Sequence, residues 1–289
     1  MPRAIDHLVL ASHDLDAQAA FYQRLGFSVG ARNTHPWGTQ NHIVQLLGGF
    51  LELIGPGDGF SAPAAGEPAA PFAGFVADYL KHREGLAMLV LQSRDAKQDQ
   101  AAFEEAGISS SKLFRFGRKA TRPDGTQIDV GFALAFACSP HVIDAGFFVC
   151  QNLHPENFWN RAQQVHRNGA EKIAGAIMVA ENPSDHAEFL APFTGQREMV
   201  ATSMGLEIDT GGGVLEVLTP LAYTFRTGLA PPSADHTPAF AAYRVAVADL
   251  DVARGALETE TVVHRTHGDA LVVAPEQGFG AAVLFQRQN

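Results

Sequence analysis

Stretches in which apolar residues alternate with others are followed by stretches with apolar residues at helical spacing, and the sequence repeats this order four times. The first block opens with IDHLVLAS, rich in Ile, Leu and Val and predicted to be a strand. Asp14 suits the N-cap of a helix over LDAQAAFYQRL, and Gly26 suits its end. FSVGAR, NHIVQLLG and FLELIGP then read as three short strands. The predicted unit is therefore strand, helix, strand, strand, strand.

The same order returns in GLAMLVLQS, DAKQDQAAFEEAG, KLFRFGR, QIDVGFALAFA and GFFVCQN. Asp95 caps that helix, Gly107 stops it, and Pro123-Asp124-Gly125 supplies a hairpin turn. A third unit runs through KIAGAIMVAEN, PSDHAEFLAPFTG, REMVATS, MGLEIDT and GVLEVLTP, with Pro183 at a helix start where a missing N–H is harmless. The fourth is AFAAYRVAVADL, DVARGALETE, VVHRTHG, ALVVAP and AAVLFQR. The three glycines at 211–213 read as a hairpin turn, because no helix follows to make a phosphate loop.

Two linkers, the Gly-, Pro- and Ala-rich 55–71 and the stretch 221–238, follow the LE-containing strands LELIGP and LEVLTP. The larger pattern is unit, linker, unit, stated twice, with a joint near 154–170. The expected domains are 1–155, holding modules 5–56 and 85–152, and 156–289, holding modules 172–220 and 239–288.

Composition narrows the function classes. Lys plus Arg is 21 against 31 for Asp plus Glu, a net charge of −10 that argues against a phosphate-backbone partner. No 18-residue apolar run predicts a membrane span, and MPRAID enters a strand without the apolar run of a signal peptide. The cysteines, Cys138 and Cys150, form no CxxC, so reduced thiols and a cytoplasmic setting are expected. The expected partner is a small molecule rather than nucleic acid or membrane. A monomer or a homodimer is the expected assembly.

DLD…FYQRLGF after the first strand and LELIGP at the fourth, set in four βαβββ units, resemble the vicinal oxygen chelate superfamily. HPWGTQNHIVQLLGGFLELI, and FFVCQNLHPENFW followed by HRNGA, resemble the glyoxalase-like domain group within it, of the glyoxalase, bleomycin resistance and dioxygenase type. The resemblance implies an α+β fold in which four βαβββ modules pair into two curled mixed-sheet cups. It also implies ligands projecting into each cup from the first and fourth strand of every module.

Carried over residue by residue, those positions are His7 and Glu52 in the first module. Alternation expects Ile5, His7 and Val9 on the cup face with Phe50, Glu52 and Ile54, and Leu8, Leu10, Leu51 and Leu53 behind. The matching positions are Met88 and Cys150 in the second module, Gly175 and Glu216 in the third, and Ala242 and Leu284 in the fourth. A four-ligand glyoxalase set is therefore missing. His35, His42, His154 or His166 could join His7 and Glu52 in a two-His-one-carboxylate set.

The resemblance thus implies a glyoxalase-like metalloenzyme of lyase or isomerase type acting on vicinal oxygens in the N-terminal cup. His7 and Glu52 would hold one divalent ion, Mn, Fe, Ni, Zn or Mg, and Glu52 would shuttle a proton. His35, Trp37, Asn41, His42, Phe50, Met88 and Cys150 are the expected substrate contacts, with Phe147 also in the apolar lining. Two alternatives stay open: a metal-free sequestering protein of resistance type, and an extradiol-type dioxygenase, which requires a second cup histidine.

Overall fold

The computed structural model of the chain describes residues 2–121, 125–232 and 237–288. Module one is β1 (Ile5–Ala11), α1 (Leu15–Arg24), β2 (Asn33–Thr34), β3 (Thr39–Leu46) and β4 (Gly49–Pro56), and a linker carrying α2 (Phe75–Tyr79) follows. Module two is β5 (Gly85–Gln92), α3 (Ala96–Glu105), β6 (Phe114–Thr121), β7 (Gln127–Ser139) and β8 (Val142–Asn152), followed by α4 (Pro155–Phe158). Module three is β9 (Ala170–Val179), α5 (Ala187–Thr194), β10 (Val200–Thr202), β11 (Gly205–Asp209) and β12 (Val214–Leu218), with α6 (Pro220–Thr227) behind it. Module four is β13 (Ala239–Val247), α7 (Leu250–Thr259), β14 (Arg265–His267), β15 (Ala270–Val273) and β16 (Ala282–Arg287).

Modules one and two share one eight-stranded sheet, in the order β2-β3-β4-β1-β5-β8-β7-β6. Modules three and four repeat it as β10-β11-β12-β9-β13-β16-β15-β14. In each sheet the two first strands pair antiparallel at the centre, which sets the modules about a local two-fold. Each first strand pairs parallel with its own fourth strand, so both project side chains into one mixed-sheet cup.

The helices start where the sequence places their caps. Asp14 accepts from the Ala17 N–H, Asp95 from Lys97 and Gln98, and Asp249 from Asp251. Their apolar faces fill a core between the backs of the two sheets, where Leu8, Leu10, Tyr22, Phe103, Phe193, Met178 and Phe285 are buried. Tyr243 crosses that core to donate a 2.8 Å hydrogen bond to the Tyr22 hydroxyl. Phe147 lies here too, 5.3 Å from Phe193 and 5.6 Å from Phe240, so it backs the sheet and does not line the cup. Alternation explains the correction, since its neighbour Phe148 takes the cup face.

Three other expectations change. The β1–β5 register shifts between Ile5 and His7, a β-bulge. It sends Ile5 into the inter-sheet core with Leu8 and Leu10, while His7 keeps the cup face. FSVGAR forms no strand; Gly30 ties it to β3 through a 2.9 Å bond to the Ile43 carbonyl. Helices stand in the connections between modules one and two and between modules three and four. Phe72, Val76, Tyr79 and Leu80, at helical spacing, bury into the first cup, and Ala222 and Tyr223 of α6 bury into the second. Of the expected hairpin turn, Pro123 and Asp124 lie outside the described residues.

Candidate functional site

The N-terminal cup is plugged at one end by the linker helix and open at the other, leaving a cavity of about 590 Å3. His7 from β1 and Glu52 from β4 stand side by side on its floor, each 4% exposed. The His7 ring stacks on Phe50, with centroids 4.2 Å apart and planes at 13°. Its Nδ1 lies 2.6 Å from the Asp6 carboxylate, so Nδ1 carries the proton and donates it there. Nε2 stands 3.7 Å from Glu52 Oε2. The bulge that displaced Ile5 is what brings Asp6 beside its neighbour's ring.

His35 faces the other carboxylate oxygen, with Nε2 3.6 Å from Glu52 Oε1. Its Nδ1 is 2.9 Å from Thr39 Oγ1, which also accepts from Trp37 Nε1 at 2.8 Å. Asn41 Nδ2 donates to Glu52 Oε1 at 2.5 Å and stands 3.3 Å from His35 Nε2. An amide N–H facing that nitrogen needs a lone pair there, which places the His35 proton on Nδ1. Burial also holds the His35 pKa below its usual value, with the Glu52 charge opposing. Two imidazole Nε2 atoms thus face one buried carboxylate.

Of the four histidines that could have joined, His35 is the one in place. His42 lies on the opposite face of β3 from Asn41 and Ile43, bonded through Nδ1 to the Gly30 carbonyl, so it does not contact the cavity. His166 is a structural residue: its Nδ1 accepts from the Ser28 N–H and its Nε2 donates to the Gln45 carbonyl at 2.8 Å. His154 sits at the start of α4, 3.7 Å from Glu156 and outside the cavity.

Trp37, Asn41, Phe50 and Cys150 line the cavity. Burial pushes the Cys150 thiol well above its usual pKa, so it packs as a small apolar group. Met88 faces the cup but lies under the linker helix, packed on Gly146 and outside the cavity. The strand registers also revise its partner. His7 opposes Phe50 and Val9 opposes Glu52, while Met88 opposes Gly146 and Val90 opposes Phe148. Phe148 is therefore the counterpart of Glu52, and Cys150 that of Ile54. Module two offers two apolar side chains where ligands would stand. Sequence reasoning missed Phe158, Trp159 and Arg161, which fold over the cavity from the segment after β8. An adjacent Phe-Trp pair in an otherwise polar joint was the available signal.

The C-terminal cup holds a different arrangement. Gly175 takes the position of His7, and Arg244 reaches across it to Glu216, with Nη2 to Oε2 at 3.0 Å. A Cβ on Gly175 would stand 2.7 Å from that guanidinium nitrogen. Arg226 of α6 approaches the other Glu216 oxygen at 3.2 Å. Burial raises the Glu216 pKa, and the two arginines pull it back.

Among the described residues, no three His, Cys, Asp or Glu side chains form a ready-made metal group, and the two imidazoles face different oxygens of Glu52. The donor set nonetheless fits a divalent ion in kind. It offers two imidazole lone pairs, one carboxylate, and a buried Asn41 Oδ1 without a hydrogen-bond partner. Asp6 supplies the outer carboxylate that commonly orients a ligating histidine.

Solved structures share the architecture. A hypothetical protein from Staphylococcus aureus superposes with a TM-score of 0.68 at 11% identity, covering 99% of both chains. A variant of 4-hydroxymandelate synthase from Streptomyces coelicolor gives 0.58 at 12%, covering 100% of this chain and 94% of that one. The Mn(II)-bound glyoxalase from Novosphingobium aromaticivorans gives 0.55 at 12%, covering 99% and 82%. Identities this low speak for the fold alone. A search of curated proteins returned no match. No helix among the described residues is long and apolar enough to cross a membrane. The glyoxalase-like domain family matches residues 5–194, from β1 to the end of α5, and the chain belongs to that family within the vicinal oxygen chelate superfamily.

Proposed function

We propose that the N-terminal cup is a metal-assisted active site of lyase or isomerase type, acting on a small molecule with vicinal oxygens. One observation carries this reading: two imidazole Nε2 atoms face the two oxygens of one buried carboxylate at 3.6 and 3.7 Å. Negative potential concentrated in so apolar a place calls for a cation. His7, His35 and Glu52 would hold it, with Asn41 beside them. Two imidazoles and one carboxylate suit Mn, Fe, Ni or Zn better than Mg, which prefers an all-oxygen shell. Such an ion supplies Lewis-acid polarisation of two adjacent substrate oxygens.

The chain's own groups do the rest. Asp6 holds the His7 tautomer, and Thr39 holds that of His35. Glu52 is the carboxylate that stands beside His7 on the cavity floor and the candidate proton carrier. The Asn41 amide positions it and offsets its charge. Aromatic walls exclude water, which strengthens every charge interaction inside.

Metal analysis of the purified protein tests this reading. About one ion per chain is expected in the wild type, lost in His7→Ala, His35→Ala and Glu52→Gln. A metal-free wild type whose unfolding temperature ignores added Mn, Ni and Zn would refute it and leave the sequestering alternative.

A second reading gains from His35, because the extradiol alternative requires a second imidazole in the cup. Oxygen uptake with catechols supports that reading, and solvent deuterium exchange into a substrate without oxygen uptake supports the first.

A further inference from the structure

Beyond the floor, the cavity carries a second kind of information. Its walls are rings: Trp37, Phe72 and Phe116 on one side, Phe50, Phe132 and Phe158 on the other, with Phe116 and Phe132 5.4 Å apart closing the arc. Apolar cavities of ~150 Å3 take one benzene ring. A volume of about 590 Å3 therefore holds two fused rings with oxygen substituents to spare. Ring walls select flat ligands through offset and edge-on contacts.

Arg118 of β6 stands at the rim. Its Nη2 donates to the neutral Asn33 Oδ1 at 2.6 Å, and no carboxylate among the described residues pairs with it. Arg161 lines the same rim, as does Glu156, whose Oε1 stands 3.7 Å from His154 Nδ1. In a chain of net charge −10, an arginine held by an amide at a cavity mouth is an anion site in waiting. The guanidinium fork matches a carboxylate.

We propose that the site takes a two-ring aromatic carboxylate, with the rings between the Trp37 and Phe50 walls and the carboxylate at Arg118. This rests on the reading of the cup as the active site, and it adds the substrate class. Calorimetric titration of the full-length protein distinguishes the contributions, using 2-naphthoate, 2-naphthol (rings without carboxylate) and decanoate (carboxylate without rings). 2-Naphthoate is expected to bind at least tenfold more tightly than either. Arg118→Ala is expected to reduce it to the 2-naphthol affinity and to leave 2-naphthol unchanged, with Arg118→Lys intermediate. Both tryptophans of the chain, Trp37 and Trp159, line the cavity, so ring binding there quenches their emission. Equal affinity for 2-naphthoate and 2-naphthol, or an unaffected Arg118→Ala, would overturn the carboxylate site. Decanoate binding as tightly as 2-naphthoate, or ligand binding without quenching, would overturn the ring site. Glu52→Gln keeps the two proposals apart, because it is expected to lose metal and still bind 2-naphthoate. A wild type that holds metal but ignores 2-naphthoate sinks this inference alone.

Discussion

Removing Arg244 would leave Glu216 as a buried anion in the C-terminal cup. The carboxylate is 1% exposed, with the Arg244 guanidinium 3.0 Å away and the half-exposed Arg226 as its other partner. In Arg244→Leu, Glu216 can remain ionised beside Arg226 alone, or it can take up a proton. From an ordinary value of 4.5, protonation at pH 7 costs about 3.4 kcal/mol, which caps the charge penalty. The same step at pH 5 costs about 0.7 kcal/mol. The sign follows: the variant holds Glu216 above its unfolded pKa, so stability is retained at low pH and lost as pH rises. Replacing both partners, Glu216→Leu with Arg244→Leu, removes the stranded charge and is expected to cost less than Arg244→Leu alone. Urea unfolding of the wild type, Arg244→Leu and the double variant at pH 7 and pH 5 gives the six values needed. A pH-independent penalty for Arg244→Leu, or a double variant worse than the single, would refute the account and point to lost packing instead.

Asp6→Asn weakens the hold on the His7 tautomer, and metal affinity is expected to fall about 10- to 100-fold; unchanged Mn binding by calorimetry would contradict that. His166→Gln loses bonds from both ring nitrogens of a residue 8% exposed, at a cost of about 1–3 kcal/mol at pH 7.5. Burial holds the His166 pKa below 6.5, so its contribution is complete above that value and fades as pH falls. The gap between wild type and His166→Gln should therefore narrow at pH 5.5, and a widening gap in urea titrations would reverse the assignment. Phe72→Ala removes the ring that touches His35, Trp37 and Phe148, at about 3–5 kcal/mol, and enlarges the cavity. Thermal unfolding indistinguishable from wild type would show that the linker helix does not brace the cup.

Much of the fold was legible because its signals are local. Caps at Asp14, Asp95 and Asp249 and alternation in β4 depend on neighbours a few residues away. The pairing of His7 with Glu52 followed from that alternation together with the family resemblance. What stayed hidden depends on register and on chain segments meeting in space. A one-residue bulge turned Ile5 to the other face and gave His7 its carboxylate. A position counted along β8 pointed to Cys150, whereas hydrogen-bond register picks Phe148. Choosing among four histidines required knowing which face of β3 meets the cup, and that rules out His42. The rim residues Arg118 and Arg161 come from segments far apart in sequence, and no periodicity connects them.

The helix between the first two modules has a wider consequence. The segment that joins the halves of the sheet is also the far wall of the binding chamber, through Phe72. Connector residues tolerate insertion and exchange more readily than the central strands of a sheet. The chamber's depth can therefore be remodelled by changing this connector, while the strands that present His7 and Glu52 stay as they are. New ligands could be accommodated by altering the chain where folding constrains it least.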